Sequence, residues 1–214
     1  MSHNSAYWNA IYETGRVPNT PSTFAAAMLE RGFVSYSQPL VDVGCGNGRD
    51  SLFFASHGIR VFAVDSAATT IGNIQAQSRQ ITCVCDDFTR LPTPLCDNVY
   101  FGTVFSRFSI HSVPSVDGTR FLQWAYANLV LGGRLLIEAR SVKDPLYGSG
   151  QTVPGEADAF VTTHYRRFIR MPVLVDELSN IGFVVESCVE SANLSVVDGD
   201  NPVLIRIVAL KPLS

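Results

Sequence analysis

The chain has 214 residues, of which 46% are hydrophobic and 16% charged, with a net charge of −3. That profile fits one folded α/β domain rather than a disordered or fibrous chain, and its slight acidity offers no general attraction to nucleic acid or an anionic membrane. Five cysteines in irregular positions match neither a disulfide framework nor a zinc pattern, so no metal is expected, and no apolar run is long enough to span a bilayer.

The first residues, through Trp8, contain no basic region followed by an apolar core. No secretion signal is read there, and a cytoplasmic protein is expected. Residues 7–13 carry aromatics at helical spacing, and residues 15–21 are rich in turn formers. A helix over 22–31 follows, with Ser22 placed to cap it. This N-terminal stretch, 1–36, either packs on the core or closes over a ligand.

The stretch that organises the chain is Leu40-Val41-Asp42-Val43-Gly44-Cys45-Gly46-Asn47-Gly48-Arg49-Asp50-Ser51. Apolar residues flank one acid and lead into glycines at alternate positions, so a strand over 40–44, a tight turn and a helix over 47–57 are predicted. Glycines suit such a turn because they adopt positive φ and let backbone approach a ligand closely. A dinucleotide fingerprint would be Gly-x-Gly-x-x-Gly. Here Arg49 stands where its last glycine would fall, which disfavours a pyrophosphate ligand.

A second strand, 60–65, ends on Asp65, about twenty residues past the start of the turn, where a carboxylate can accept both hydroxyls of a ribose. A helix over 67–77 and a strand over 81–85 lead to Asp86-Asp87-Phe88. After a loop at 91–95, the fourth strand is predicted over 97–105. It runs into Ser106-Arg107-Phe108-Ser109-Ile110-His111, at the kind of strand end where this architecture places chemistry. A helix over 115–130, Gly132-Gly133 and a fifth strand over 134–140 come next. Residues 141–168 show no clear periodicity, the mark of a functional or disordered loop. They include His164-Tyr165-Arg166-Arg167-Phe168, three basic side chains in five residues. A helix over 172–181 and strands over 183–191 and 202–210, joined by a hairpin connection at 198–201, complete the chain.

Asp42 with Gly44, Gly46 and Gly48, then Asp65, then Asp86-Asp87-Phe88, then Gly132-Gly133 together resemble the class I S-adenosylmethionine (SAM)-dependent methyltransferases, over almost the whole chain. The resemblance implies a doubly wound, seven-stranded, mostly parallel sheet of order 3-2-1-4-5-7-6, its last strand antiparallel. Helices cover both faces, and 1–36 forms a helical lid. It implies SAM as cofactor, with S-adenosylhomocysteine as product, held by Asp42, Gly44, Gly46, Gly48, Arg49, Asp65 and Ser106. An acid from Asp86 or Asp87 meets the adenine amino group, Phe88 lies against the ring, and Tyr12, Arg16 and Phe24 are the lid's contacts.

More loosely, the runs 106–111, 138–150 and 164–168 are similar to phosphate- and phosphonate-directed O-methyltransferases. On that likeness 141–170 is an acceptor-side loop, and Arg107, His111, Arg140, His164, Arg166 and Arg167 gather where the methyl group points. Guanidinium groups bind oxyanions through paired hydrogen bonds, so a small anionic acceptor is expected, and no nucleic acid or membrane partner. Two other readings stand beside this one. His111 or His164 serves as general base toward a neutral or aromatic acceptor, on oxygen or nitrogen, or the fold binds a partner without catalysis. Each arginine also has a plain structural alternative, and for Arg140 the candidate partners are Glu138 and Asp144.

Overall fold

The computed structural model describes residues 7, 8, 10, 11, 18–196 and 199–214. Its centre is a seven-stranded sheet in the order β3-β2-β1-β4-β5-β10-β9, built from β1 (Leu40–Val43), β2 (Val61–Asp65), β3 (Ile81–Cys85), β4 (Phe101–Arg107), β5 (Leu129–Arg140), β9 (Val184–Ser191) and β10 (Leu204–Leu210). Strands β1 to β5 are mutually parallel, and β10 runs antiparallel to both β5 and β9. This is the expected topology, with β9 and β10 as the sixth and seventh strands of the main sheet.

Strand periodicity sorts the core into two layers. In β2, Phe62 and Val64 join the cluster that includes Phe121, Leu122 and Trp124 of α4 (Ser115–Asn128) and Leu174 and Leu178 of α5 (Met171–Ile181). Their neighbours Val61 and Ala63 join the opposite cluster, which includes Phe24 and Met28 of α1 (Thr23–Glu30), Phe54 of α2 (Arg49–Ser56), and Ile71 and Ile74 of α3 (Ala68–Gln77). Because helices cover both faces, the central strands are buried throughout, and every residue of β1 and β2 is buried. Such strands are near-continuous apolar runs, as the sequence of β1 shows.

Local signals set the helix ends. Ser22 caps α1, its side chain accepting a hydrogen bond from Ala25 N at 3.0 Å. Gly182, at φ +115°, closes α5 by donating its N–H to Leu178 O and Ser179 O. At the head of α2, Gly48 has φ +76°, and a Cβ there would lie 2.4 Å from Ile74 Cγ1.

Three stretches differ from expectation. Strand β4 begins at Phe101 rather than 97, because Asn98 turns the chain at φ 57°, and it extends to Arg107. The fifth strand starts at Leu129, where α4 stops, and kinks at Gly132-Gly133. The pairing with β4 jumps there from Phe101↔Leu129 to Thr103↔Arg134. Residues 141–170, expected as an aperiodic loop, contain a small antiparallel sheet of β6 (Gln151–Thr152), β7 (Ala159–Val161) and β8 (Tyr165–Arg167). Strands of two or three residues are too short to display alternation. This sheet docks on the end of β5 through Ile169 N donating to Arg140 O (2.9 Å) and Val142 N to Ile169 O (3.0 Å).

The two glycines flanking α2 provide a stability test. Gly48→Ala adds both a positive-φ penalty and a collision with Ile74, whereas Gly58, at φ +81°, has nothing within 4 Å of its added Cβ. Gly58→Ala is expected to cost about 1 kcal/mol and Gly48→Ala a further ~1 to 3 kcal/mol, read as urea unfolding free energies. Equal losses would count against the close packing of the glycine turn on α3.

Candidate active site

The C-terminal ends of β1, β2 and β4 open onto one cleft. It is lined by Asp42, Gly44, Cys45, Gly46, Asn47, Arg49, Asp50, Asp65, Ser66, Asp87, Phe88, Arg107, Phe108, Ser109, Ser112 and Val113, with Trp8 from the N-terminal segment. Its floor is stitched by Ser109, whose hydroxyl donates to Val43 O at 2.6 Å. A Cβ on Gly44 would sit 2.5 Å from that same Oγ, so the glycine is required by the floor itself.

Three buried carboxylates face this space. Asp65 Oδ2 accepts from Gly46 N and Oδ1 from Ala67 N, each at 2.9 Å, and burial raises its pKa against the pull of those amides. Asp50 accepts from Ser22 N at 2.7 Å and from Ser22 Oγ at 2.8 Å, which ties α1 to the turn. Asp42 accepts from Ser51 Oγ at 2.6 Å. Burial, and then the charge of Asp50, pushes its pKa up to about 7. Burial likewise holds the Cys45 thiol well above its ordinary range, so it is protonated and unreactive.

On the other wall, Phe108 adopts the left-handed conformation at φ 58°, sparsely populated for an aromatic residue and common where backbone is constrained at a site. Its ring lies 4.2 Å below the Arg107 guanidinium. Arg107 Nε donates to Glu138 Oε1 at 2.9 Å, and Arg206 Nε to Glu138 Oε2 at 2.6 Å. Glu138, fully buried, thus joins β4, β5 and β10 in one ion triad.

Beyond Phe108 lies a cationic cluster. His111, buried in the 3₁₀ turn Ile110–Ser112, accepts a hydrogen bond at Nδ1 from the Arg140 backbone N–H at 3.1 Å. Burial, then Arg166, Arg140, His164 and Arg167, drive its pKa well below the usual value. His164 accepts at Nε2 from Arg166 Nη2 (2.9 Å), and its pKa is lowered to about 4 by burial, Arg166 and Arg140. Its ring stacks on Tyr7 at 4.1 Å and lies 5.6 Å from that of Trp8, which connects this cluster to the cleft. Arg140 donates to Asp144 Oδ2 at 2.9 Å and also to Asp200. Arg167 donates to Val113 O and Ile110 O, both at 3.3 Å. Among the described residues, no carboxylate lies in ion-pair range of Arg166 or Arg167.

The structure therefore places Asp42, Gly44, Gly46, Arg49, Asp65, Asp87, Phe88 and Arg107 around one cleft. Asp86 is exposed and outside it, its carboxylate capping Asp87 N at 2.7 Å, so of the two candidate acids Asp87 is the one that faces the cleft. Gly48 serves packing against Ile74. Ser106 is sealed in the sheet, its hydroxyl without a hydrogen-bond partner among the described residues. Phe24 is core, stacked on Phe105 at 5.1 Å. Tyr12 and Arg16 lie outside the described residues. His111, His164 and Arg166 come together beside the cleft, with Arg140 and Arg167 already engaged by protein groups. Sequence reasoning missed Asp50, Trp8 and Phe108 as cleft-lining residues. Each left a signal: Asp50 is an acid in the first turn of the helix that follows the glycines, Trp8 lies in the aromatic N-terminal run, and Phe108 lies in the run that ends the fourth strand.

Residues 40–133 match a protein family described as a methyltransferase domain. No curated protein matches the chain in sequence. Among solved structures, the glycopeptide N-methyltransferase MtfA complexed with SAM is 22% identical over 90% of this chain and 95% of its own, with a TM-score of 0.67. A SAM-dependent methyltransferase from Methanosarcina mazei is 17% identical over 87% and 98%, with a TM-score of 0.74. A third, the Burkholderia thailandensis 1,6-didemethyltoxoflavin-N1-methyltransferase, is 18% identical over 99% and 91%, with a TM-score of 0.69. Residues 40–133 thus resemble a methyltransferase domain, and the chain as a whole shares the fold of these structures.

The raised Asp42 pKa has a measurable consequence for the ligand-free protein. An unfolded aspartate ionises near pH ~3.9, whereas the folded one keeps its proton to about 7. Between those values the native state binds the extra proton, so this group's contribution to stability falls as pH rises, by at most ~1.4 kcal/mol per pH unit, and is gone above the folded value. Asp42→Asn is expected to remove that slope, and the difference between wild-type and variant urea midpoints from about pH 4 to about pH 8 checks it.

Proposed function

We propose that the protein is a SAM-dependent methyltransferase that transfers a methyl group to an oxygen of a small anionic acceptor, most simply a phosphate or phosphonate. The observation that carries the cofactor half is the cleft over Gly44, with three buried carboxylates on one side and Phe88, Phe108 and Trp8 among its lining. SAM supplies an electrophilic methyl on a sulfonium, with a nucleoside at one end and an ammonium at the other. Acidic groups in a buried setting suit its cationic centres. Asp65 at the end of β2 suits the ribose, and Asp87 with Phe88 the adenine. The site residues are thus Asp42, Asp65, Asp87 and Phe88, with the backbone of Gly44 and Gly46.

The acceptor half rests on Arg166, a half-buried guanidinium with no carboxylate partner among the described residues, beside His111 and His164. Residues 1–36 would complete the cover, through Trp8, and 141–170 the acceptor side, in a single catalytic domain. Holding the acceptor oxygen in line with the methyl carbon supplies most of the rate expected of such a reaction. Arg140 is buried and Arg166 and Arg167 are partly buried in this cluster, which suits a small molecule more than an extended nucleic-acid backbone. One observation favours a second reading, transfer to nitrogen or oxygen of a neutral natural product with a histidine as base: two of the three solved structures named above are N-methyltransferases.

Isothermal calorimetry tests the cofactor. SAM and S-adenosylhomocysteine are expected to bind in the micromolar range, and Asp65→Ala to weaken both by about tenfold or more, as loss of a charged hydrogen-bond acceptor does. No binding of either ligand to the wild-type protein would remove the enzymatic reading. A screen of phosphonates, phosphates, carboxylates, phenols and amines for S-adenosylhomocysteine release then identifies the acceptor class.

A further inference from the structure

We infer that the acceptor site contains no general base: His111 is a fixed hydrogen-bond donor, His164 is a positioning residue for Arg166, and the site turns over only acceptors whose nucleophilic atom is already ionised. This rests on the methyl-transfer reading and specifies its substrate.

The inference begins with which ring nitrogens hold lone pairs. A backbone N–H can only donate, so the Arg140 amide, 3.1 Å from His111 Nδ1, requires a lone pair at that nitrogen. The proton of the neutral imidazole therefore sits on Nε2, which can donate and cannot accept. A guanidinium also only donates, so Arg166 Nη2, 2.9 Å from His164 Nε2, requires the lone pair of His164 at Nε2 and its proton at Nδ1, beside Thr163 Oγ1 at 3.2 Å. Each ring has one lone pair, and each lone pair is already taken by a protein donor. A base needs a free one.

The charged surroundings act in the same direction. His111 faces Arg140 from β5, Arg166 and Arg167 from β8, and His164 from the segment before β8. His164 faces Arg166 and Arg140, with Tyr7 stacked on it. No carboxylate contacts either ring among the described residues, so nothing there stabilises an imidazolium formed by accepting a substrate proton. Both rings are held neutral.

What remains are donors. Arg140 spends its guanidinium on Asp144 and Asp200, and Arg167 on two backbone carbonyls. Arg166 spends one N–H on His164, and neither its other nitrogens nor His111 Nε2 are among the sealed, unpartnered polar atoms. Arg166 and His111 Nε2–H together make an oxyanion receptor. In the reaction, a lone pair of the bound oxyanion forms the O–C bond while the C–S bond breaks and its electron pair stays on sulfur. The sulfonium becomes a thioether, the acceptor loses one negative charge, and no proton moves. Phenols and protonated amines, which must shed a proton, lack a group to take it.

The test uses the full chain with SAM, with phenylphosphonate and benzoate as ionised probes and phenol and benzylamine as probes that carry a proton. S-adenosylhomocysteine release with either anion, exceeding that with phenol or benzylamine by at least about a hundredfold at neutral pH, is expected. The kcat/KM should follow only the acceptor's own ionisation between about pH 7 and about pH 9. His111→Gln, which keeps an N–H donor and offers no base, should recover most of the roughly ten- to hundredfold loss caused by His111→Ala. His164→Gln, which keeps an acceptor for Arg166, should restore the low acceptor KM that His164→Leu raises, with kcat little changed. Arg166→Gln should raise the KM of the anion while leaving SAM affinity intact by calorimetry, which also shows that the variant is folded.

Faster turnover of phenol or benzylamine, His111→Gln as inactive as His111→Ala, or a pH limb that His164→Gln abolishes would overturn the inference while leaving a methyltransferase. Absence of SAM binding by the wild-type protein would instead overturn the reading beneath it.

Discussion

The site depends on a parting of the chain between two neighbouring strands. β1 and β4 lie side by side and parallel, yet the chain leaves β1 for α2 on one face of the sheet and leaves β4 for α4 on the other. No side chain of the sheet has to be removed to open a crevice at such a switch point, because the connections diverge by themselves. The crevice still needs a floor, and Ser109 provides it by returning to Val43 O. That hydroxyl occupies the position a Cβ on residue 44 would need. The glycine turn and the bend after β4 are therefore two halves of one constraint.

Glu138 extends that constraint sideways. It is buried without solvent access, accepts from Arg107 and Arg206, and fixes three strands to one another at the level of the cleft. Burying a carboxylate alone is costly, and two guanidiniums with fitted hydrogen bonds offset the cost. The triad also divides two electrostatic territories. Asp42, Asp50 and Asp65 lie on one side, where burial and then the charge of Asp50 raise the pKa of Asp42. Arg140, Arg166 and Arg167 lie on the other, where burial and then Arg166 and Arg140 lower the pKa values of both histidines. A cationic methyl donor and an anionic acceptor would each be drawn to the side of opposite sign, and the two sides adjoin at Phe108.

Much of this was legible in the residues themselves. Main-sheet strands with two buried faces are short apolar runs, glycines at alternate positions mark the turn, and acids at strand ends mark a ligand edge, so β1, β2 and β3 could be read directly, while the sheet order followed from the family resemblance. Pairing could not. Arg140 and Arg166 are alike in sequence in having another basic residue close by, Lys143 for the first and Arg167 for the second. Only the folded chain shows that Asp144 and Asp200 neutralise the first while the second meets a histidine. The small sheet over 151–167 escaped because strands of two or three residues carry no measurable period. Asp87 and Asp86 are adjacent, and choosing between them required knowing that the chain turns after β3 so that one side chain faces inward.

That small sheet explains how two consecutive arginines come to do different work. Side chains alternate along a strand, so Tyr165 and Arg167 of β8 face one way and Arg166 the other. Arg167 is partly buried beneath the 3₁₀ turn and donates to the carbonyls of Ile110 and Val113. A Cβ on Gly118 would lie 2.8 Å from its Nη2, so a glycine in α4 leaves room for the guanidinium. It thereby fixes the turn that carries His111, whose ring caps the N–H that β5 presents just past the end of β4. Arg166, turned toward His164, retains donors for a ligand. A one-residue slip of β8 would exchange the two roles, leaving the 3₁₀ turn without its clamp and the pocket without its cation. The register of β7 with β8, Phe160 opposite Arg166 and Ala159 opposite Arg167, is therefore as much a part of the proposed acceptor site as the side chains themselves.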